Sequence, residues 1–463
     1  MKGGDRMDKQ QELEDVKANA LLIKQLLIDE NLDAFREHFF MLHPYDQAQF
    51  YEKVGPDIRQ TMYSYLSPQE MAIIFREIDL EDEEYSEFLK EMDASYVAAM
   101  LSDMYTDDAV DVLNELESAD REHYLEMMDD ETVEEINELL AYEQYTAGAI
   151  MTTEYVSILA KSTVRSAMEV MRREAPTAET IYYIFVIDDA HKLVGVVSLR
   201  DLIIAKEETI IEEIMSDRVV SILVFDDQEV AAKIMRDYNF LALPVVNKDN
   251  ELQGIITVDD IIDVIDEEAS DDYSKLAGIS EMDDIDAGPL KSAKSRLPWL
   301  IVLLFLGMLT ANLMSRFEAT LEQVAILSIF IPLIAGTSGN SGTQALAVAV
   351  RGIATGEVGE QSKVKLLFRE LLTGLLMGTV CAAITVGIVY FWKGELVIGL
   401  LVGAAICGSI LMATLAGSFI PLLMHRLGID PAVASGPFIT TLNDVTSLMI
   451  YLGLATAFLS QIM

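Results

Sequence analysis

A helix needs about 20 consecutive apolar residues to cross a bilayer, because no water in the hydrocarbon can satisfy its backbone groups. From Leu297 onward this 463-residue chain has five such stretches, near 297–315, 319–350, 366–392, 396–427 and 432–462. That part is predicted to fold as a membrane bundle of five helices. What precedes it has the opposite chemistry. The formal net charge is −43, yet only seven basic and eight acidic residues lie beyond residue 296, so 42 of those negative charges fall in the first 296 residues. Such a surface repels phosphate backbones and excludes a generic nucleic-acid partner. The 51% hydrophobic content excludes an acidic disordered chain.

Both cysteines, Cys381 and Cys407, lie in the apolar part, so no disulfide framework is expected and a reducing cytosol suits the soluble half. The first 20 residues have no apolar core of the kind a cleavable signal requires. Lys and Arg favour one side of the spans: Lys291, Lys294, Arg296, Arg351, Lys363, Lys365, Arg369 and Arg426, against Arg316 and Lys393 on the other. This places the N-terminus in the cytoplasm and, after five crossings, the C-terminus outside.

Within the spans, nearly every charge lies at an end. The exception is Asp444, in GPFITTLNDVTSLMIYL, with Thr440, Thr441, Asn443 and Ser447 within a turn of it. An ionised carboxylate at such depth costs at least about 2.5–3.5 kcal/mol, so it should face a bundle interior or a watered path. A protonated or paired structural Asp is the plain alternative to a cation site. The second span, IPLIAGTSGNSGTQALAVAV, carries Pro332, Gly336, Gly339 and Gly342, which are expected to break the helix. Thr337, Ser338, Asn340, Ser341, Thr343 and Gln344 supply oxygens there. Broken backbone at membrane depth lines cavities; small residues also serve close helix packing.

In the soluble half, two segments repeat. IYYIFVIDDAHKLVGVVSLRDLI and LALPVVNKDNELQGIITVDDII align at Gly195 and Gly254, with Ser198 on Thr257 and Asp201 on Asp260. Their openings at Met151 and Met215 align too. Each unit is predicted to be strand, helix, strand, strand, helix. The pair resembles cystathionine-β-synthase (CBS) domains, modules that often bind adenine nucleotides. That resemblance implies a ribose contact for the aspartates, whereas Ser/Thr-x-x-Asp is also a helix N-cap. Ahead of the pair, apolar residues recur at helical spacing to about residue 145, with Pro44, Pro56 and Pro68 marking breaks, as in a small helical solenoid. The candidate domains are a helical region 1–148, CBS modules 149–210 and 211–266, a connecting helix 267–296 and the membrane part 297–463.

Between Asp259 and Asp286 lie twelve acids and one base, Lys275. Asp263, Glu267 and Asp271 fall on one helix face. Like charges so dense need cations, and hard divalent ions prefer this oxygen-rich chemistry.

The order of modules, with PLIAGTSGNSGTQ and GIDPAVASGPFITTLNDVTSLMIYL in the spans, resembles the MgtE-type bacterial magnesium channels and transporters over essentially the whole chain. The resemblance implies a homodimer in the lipid bilayer, with a Mg²⁺ path lined by spans two and five and by Asn340, Asn443 and Asp444. It implies closure when cytosolic Mg²⁺ binds Asp107 and Asp111 of the helical domain, Asp227 and Glu229 of the second CBS module, Asp260, Glu268, Asp271 and Asp272 of the junction, and Asp430. A family carboxylate is Asn239 here. ATP, through Tyr183, Arg200, Asp201 and Phe240, is the further implied ligand. The chain has no Gly-Lys dipeptide and no His-Glu-x-x-His, in keeping with passive transport rather than an enzyme. A CBS-regulated anion channel fits an intramembrane carboxylate poorly. A membrane-anchored nucleotide sensor has no use for a polar second span.

Overall fold

The computed structural model describes residues 19–78, 82–280, 288–355 and 360–458. Four of the junction acids, Glu281, Asp283, Asp284 and Asp286, lie outside the described residues, as does the end of the fifth stretch. Two compact units, Met1–Ile265 and Asp266–Met463, meet inside one helix.

The first unit opens with short helices: α1 (Asn19–Ile28), α2 (Leu32–Phe39), α3 (Pro44–Lys53), α4 (Pro56–Tyr65), α5 (Pro68–Arg76), α6 (Asp82–Lys90), α7 (Ala94–Ser102), α8 (Thr106–Asn114), α9 (Ser118–Leu125) and α10 (Asp130–Leu140). The three prolines mark helix starts: each sits in the first turn, where a missing N–H leaves nothing unsatisfied. Alternate helices stack, α3 on α5, α5 on α7 and α7 on α9, in the manner of a solenoid. Phe35, Phe39, Tyr51, Met62 and Phe75 are buried along its axis. One charge enters this core accompanied: buried Arg59 meets Glu91 (Nε–Oε2 2.7 Å), donates to the Val54 carbonyl and covers the Phe88 ring.

The CBS pair follows. The first module is β1 (Ser157–Leu159), α11 (Val164–Glu174), β2 (Tyr183–Ile187), β3 (Leu193–Ser198) and α12 (Leu199–Ile204). The second is β4 (Ile222–Leu223), α13 (Gln228–Tyr238), β5 (Ala242–Val246), β6 (Leu252–Thr257) and α14 (Val258–Ala277). Their registers coincide: Val186 faces Gly195 as Val245 faces Gly254, and a bulge follows in each hairpin. The opening segments are exchanged. Thr152, from the start of the first repeat, bonds Ile255 of the second in both directions (2.8 and 3.0 Å), while Ser216 of the second bonds Val196 of the first (2.9 and 3.0 Å). The two glycines make room for this. A Cβ on Gly254 would stand 2.6 Å from the Thr152 carbonyl oxygen and 2.9 Å from Met151 Sδ, and one on Gly195 would collide with Met215 Sδ.

Among its described residues the second unit holds five helices long and apolar enough to cross a membrane. They are α15 (Pro289–Ser315); α17 (Ile331–Ala354), preceded by the short α16 (Glu318–Gln323) and a 3-10 turn (Ala325–Phe330); α18 (Glu360–Lys393); α19 (Leu396–Arg426); and α20 (Gly436–Ala457). Helix α19 is the most buried and packs against α17, α18 and α20.

Two expectations are corrected here. The second span is not broken at GTSGNSG: α17 is continuous, Pro332 occupies its first turn, and the irregular backbone lies earlier, at Val324 and the 3-10 turn. Gly339 and Gly342 are packing positions. A Cβ on Gly339 would stand 2.9 Å from Thr440 Cγ2, one on Gly342 would collide with Asn443 Nδ2, and one on Gly417 would collide with the Gly342 carbonyl oxygen. Helix α17 thus rests on α19 and α20 at near-backbone distance. Nor is 267–296 one helix. Helix α14 begins at Val258, directly after β6, and stops at Ala277, where Gly278 takes φ +73°; α15 starts afresh at Pro289 behind Gly288.

The exchanged openings generate a stability prediction. Gly254→Ala should destabilise the full-length protein by about 1–3 kcal/mol through the clash with the first repeat. Gly55→Ala, which meets nothing within 4 Å, should leave the thermal midpoint in detergent nearly unchanged. Equal midpoints for the two variants would contradict this packing.

Candidate metal centres

In the first unit, one sequence-predicted pair comes together and gains a third member. Carboxylate oxygens of Asp107 (α8), Asp260 (α14) and Glu179 (the loop before β2) lie within 4.8 Å of one another. Asp107 is placed by the first turn of α8, where acids favour the helix dipole. Asp260 is placed by Thr257, whose backbone N–H donates to its Oδ2 at 3.2 Å. Glu179 is held by its own N–H, which donates to the Glu154 carbonyl (2.9 Å). Glu154 braces the surroundings, accepting from Thr106 Oγ1 and Thr152 Oγ1, both at 2.6 Å.

The electrostatics are one-sided. Asp107 is 7% exposed, and burial, followed by the charges of Asp108, Asp260, Glu179 and Glu154, holds its carboxyl well above the usual range. Burial also raises Asp260, lifts Glu179 to about 7 and lifts Asp108 to about 8. Arg76 is the nearest cation to Asp108, and at 3.9 Å it lies beyond hydrogen-bond range. Asp108 Oδ2 and Glu179 Oε2 are buried without a hydrogen-bond partner among the described residues. Ligand oxygens sit at about 2.0–2.6 Å from hard cations. A divalent ion with some of its water fits three such groups, and nitrogen- or sulfur-seeking metals do not.

Sequence reasoning missed Glu179, Asp108 and Glu154. The one available signal for Glu179 was that it is the single acid between Glu174 and Asp188. Asp111, expected beside Asp107, is exposed on the next turn of α8 and adds its charge to Asp108. Asp227 and Glu229 lie elsewhere. Asp227 caps α13, accepting from the Glu229 N–H at 2.8 Å, and Glu229 is exposed in the first turn of that helix. Asn239 closes the helix in the left-handed conformation (φ 55°), which asparagine tolerates.

The junction acids beyond Ile265 belong to the second unit. Lys275 pairs with Asp271 and, at 2.5 Å, with Asp430, whose other oxygen caps the turn at Ala432 (2.8 Å). Burial disfavours the Lys275 charge, but these two carboxylates outweigh it and hold the ammonium protonated. Asp272 is raised, by burial first and then by Asp430. A cation binding at Asp271 and Asp430 must therefore displace a lysine. Glu268 is half-buried on α14.

Among the nucleotide candidates, Tyr183 lies opposite Ser198 across the β2–β3 ladder, next to Arg200 and Asp201 at the start of α12. Arg200 is exposed. Asp201 accepts from Ser198 Oγ at 2.5 Å, so the N-cap role is filled there, as it is at Thr257 and Asp260. Phe240 sits in the other module, stacked on Tyr238. The structure gathers three of the four.

In the membrane unit, Asn443 is 2% exposed against Gly342, and its Nδ2 has no partner among the described residues. Asp444, the next residue, is half-buried; its carboxylate likewise has no hydrogen bond or ion pair among the described residues, while its backbone carbonyl accepts from Ser447. Asn340, on α17, is exposed within the single chain, and no hydrogen bond joins it to the α20 pair.

A bundle of apolar spans joined to an acidic unit with paired CBS modules, and carrying a carboxylate unpaired among the described residues, has the architecture of a membrane cation transporter. The comparisons agree. A family model described as divalent cation transporter (MgtE) matches residues 331–454, one for the MgtE intracellular N domain matches 42–145, and CBS domains match 147–208 and 211–267. The magnesium transporter MgtE of Enterococcus faecalis is 50% identical over 98% of this chain and 99% of its own length. A crystal structure of the soluble part of a magnesium transporter aligns at 50% identity with TM-score 0.54, covering 55% of this chain and 99% of the other. The cytosolic domain of the Mg²⁺ channel MgtE in complex with ATP aligns at 35% identity with TM-score 0.50, covering 53% and 99%. The chain belongs to the MgtE family.

The raised carboxyls set a pH dependence. Their folded values stand above those of an unfolded chain, so the metal-free cluster binds extra protons and loses stability as pH rises from about 4 to about 8. A divalent ion must displace those protons. The Mg²⁺ concentration that raises the thermal midpoint of the full-length protein should therefore fall between pH 6 and pH 8, by up to about tenfold per pH unit for each proton released. Glu179→Gln should flatten this dependence, and an unchanged slope would remove Glu179 from the cluster.

Proposed function

We propose that the protein carries Mg²⁺ into the cell down its electrochemical gradient and closes when cytosolic Mg²⁺ occupies its acidic soluble part. The observation that carries the reading is Asp444, a half-buried carboxylate beside the buried Asn443, on a helix packed at backbone distance against the polar α17. Two copies of the chain, related by a twofold axis, would face α17 and α20 towards a shared path, with Asn340, Asn443 and Asp444 from each. Mg²⁺ sheds water reluctantly, so amide and carboxylate oxygens hold it by way of its hydration shell. An interior-negative potential favours entry by about 2.3 kcal/mol per charge per 100 mV, doubled for a divalent ion, and no coupled energy source is required. The basic loop ends favour an N-terminal unit in the cytoplasm and a C-terminus outside.

Closure is a linkage effect. A ligand shifts an equilibrium only by its differential affinity for the two states. The cluster of Asp107, Glu179 and Asp260 draws on three separate elements, so it exists only when they are packed, and an ion there favours the packed form. Glu268, Asp271, Asp272 and Asp430 supply a second acidic group in the second unit, and Asp111, Asp227 and Glu229 are further acids of the first unit. ATP, held in a related cytosolic domain, suits the site at Tyr183, Arg200 and Asp201 here, with Phe240 from the second module.

Two flux measurements in proteoliposomes test this. Asp444→Ala should reduce Mg²⁺ uptake to background while the assembled mass stays that of the parent; uptake at the parental rate would refute the path. Neutralising Glu268, Asp271 and Asp272 together should leave uptake running when the cytosolic face holds high Mg²⁺. Persisting inhibition would take these residues out of the sensor.

A further inference from the structure

We propose that the space between the end of α17 and the start of α18 is a binding site for the headgroup of an anionic phospholipid. Because α19 packs between them, α17 and α18 touch each other sparsely, and near their joined ends they enclose a cavity of about 690 Å³. Three cations line it: Arg351 from the last turn of α17, and Lys365 and Arg369 from the first turns of α18. Arg369 is partly neutralised by the buried Glu370 at 3.1 Å. Neither Arg351 nor Lys365 has an acidic partner among the described residues, although the chain as a whole carries more than twice as many acids as bases. This is a net positive pocket in an otherwise acidic protein.

The walls identify the anion's carrier. Val348, Phe368 and Leu372 are 46%, 60% and 51% exposed around the cations. These three lie within membrane-crossing helices, so their exposed surface faces acyl chains, and a free phosphate would make no use of it. A phospholipid places its phosphate on the guanidinium and ammonium groups and lays its acyl chains along Val348, Phe368 and Leu372. The location at the ends of two membrane-crossing helices is the depth at which headgroups lie, and basic pockets between such helices suit them chemically. Lysine and arginine stems can cover the chains while their heads hold the phosphate.

The full-length protein in detergent, titrated with phosphatidylglycerol, phosphatidylcholine or inorganic phosphate and read by native mass spectrometry and thermal midpoint, tests the site. Phosphatidylglycerol should be retained preferentially and raise the midpoint. Replacing both cations, Arg351→Gln with Lys365→Gln, should weaken its binding about 30-fold, while Arg351→Lys with Lys365→Arg should retain it. If the double glutamine variant does not fold, Arg351→Gln alone should weaken binding about fivefold. Equal retention of phosphatidylcholine, undiminished phosphatidylglycerol binding in the glutamine variants, or an equal shift from inorganic phosphate would overturn the proposal. So would a changed oligomeric mass in those variants, which would assign the pocket to a second copy of the chain.

Discussion

A carboxylate taken out of water without a positive partner is among the most unfavourable groups a fold can contain, and this structure does so in both of its units. In the soluble unit Asp107, Glu179 and Asp260 face one another, with Asp108 and its neighbour Arg76 at the margin. In the membrane unit Asp444 stands on a helix whose neighbours are glycines, serines and threonines. Where the protein intends a buried charge to be purely structural, it supplies the counter-ion itself: Arg59 is matched by Glu91, and Lys275 by Asp271 and Asp430. The contrast separates the two kinds of acid. Those left without a protein cation are the ones that an ion from solution can neutralise.

Backbone proximity does comparable service in the membrane. Helices α17, α19 and α20 meet through Gly342 and Gly417, so the asparagine and aspartate of α20 are presented from a rigid surface. A broken second span would have offered carbonyl oxygens at the cost of that rigidity. The continuous α17 offers side-chain amides and hydroxyls.

How far these features can be read in the residues depends on the range of the interaction. Hydropathy is a local property, and the five spans and their approximate limits follow from it. The repeat is also local, and alignment at Gly195 and Gly254 agrees with the observed register of both hairpins. Asp444 stands out because it is charged among apolar neighbours. Glu179, by contrast, has no distinguishing local context; only the return of its loop towards α8 and α14 makes it a partner of Asp107 and Asp260. The glycines of GTSGNSG have two readings at sequence level, helix breaker and packing surface, and the neighbouring helices decide in favour of packing. Similarly, the count of twelve acids to one base at the junction does not say that the one base would pair with one of them, Asp271, and with Asp430 from just before the last span.

The exchanged openings of the CBS repeats bear on how the chain reaches this state. The first repeat's own edge at Val196 is closed by Ser216, which follows α12 closely, but Met151 and Thr152 have no docking surface until the hairpin carrying Gly254 has been made. That hairpin arrives a full repeat later, immediately ahead of α14 and the first apolar span. Long-range closure of this kind is slow compared with local helix formation. The first module's opening segment therefore stays undocked until the second hairpin exists, and that hairpin is the last folded element of the pair before α14 and the first apolar span.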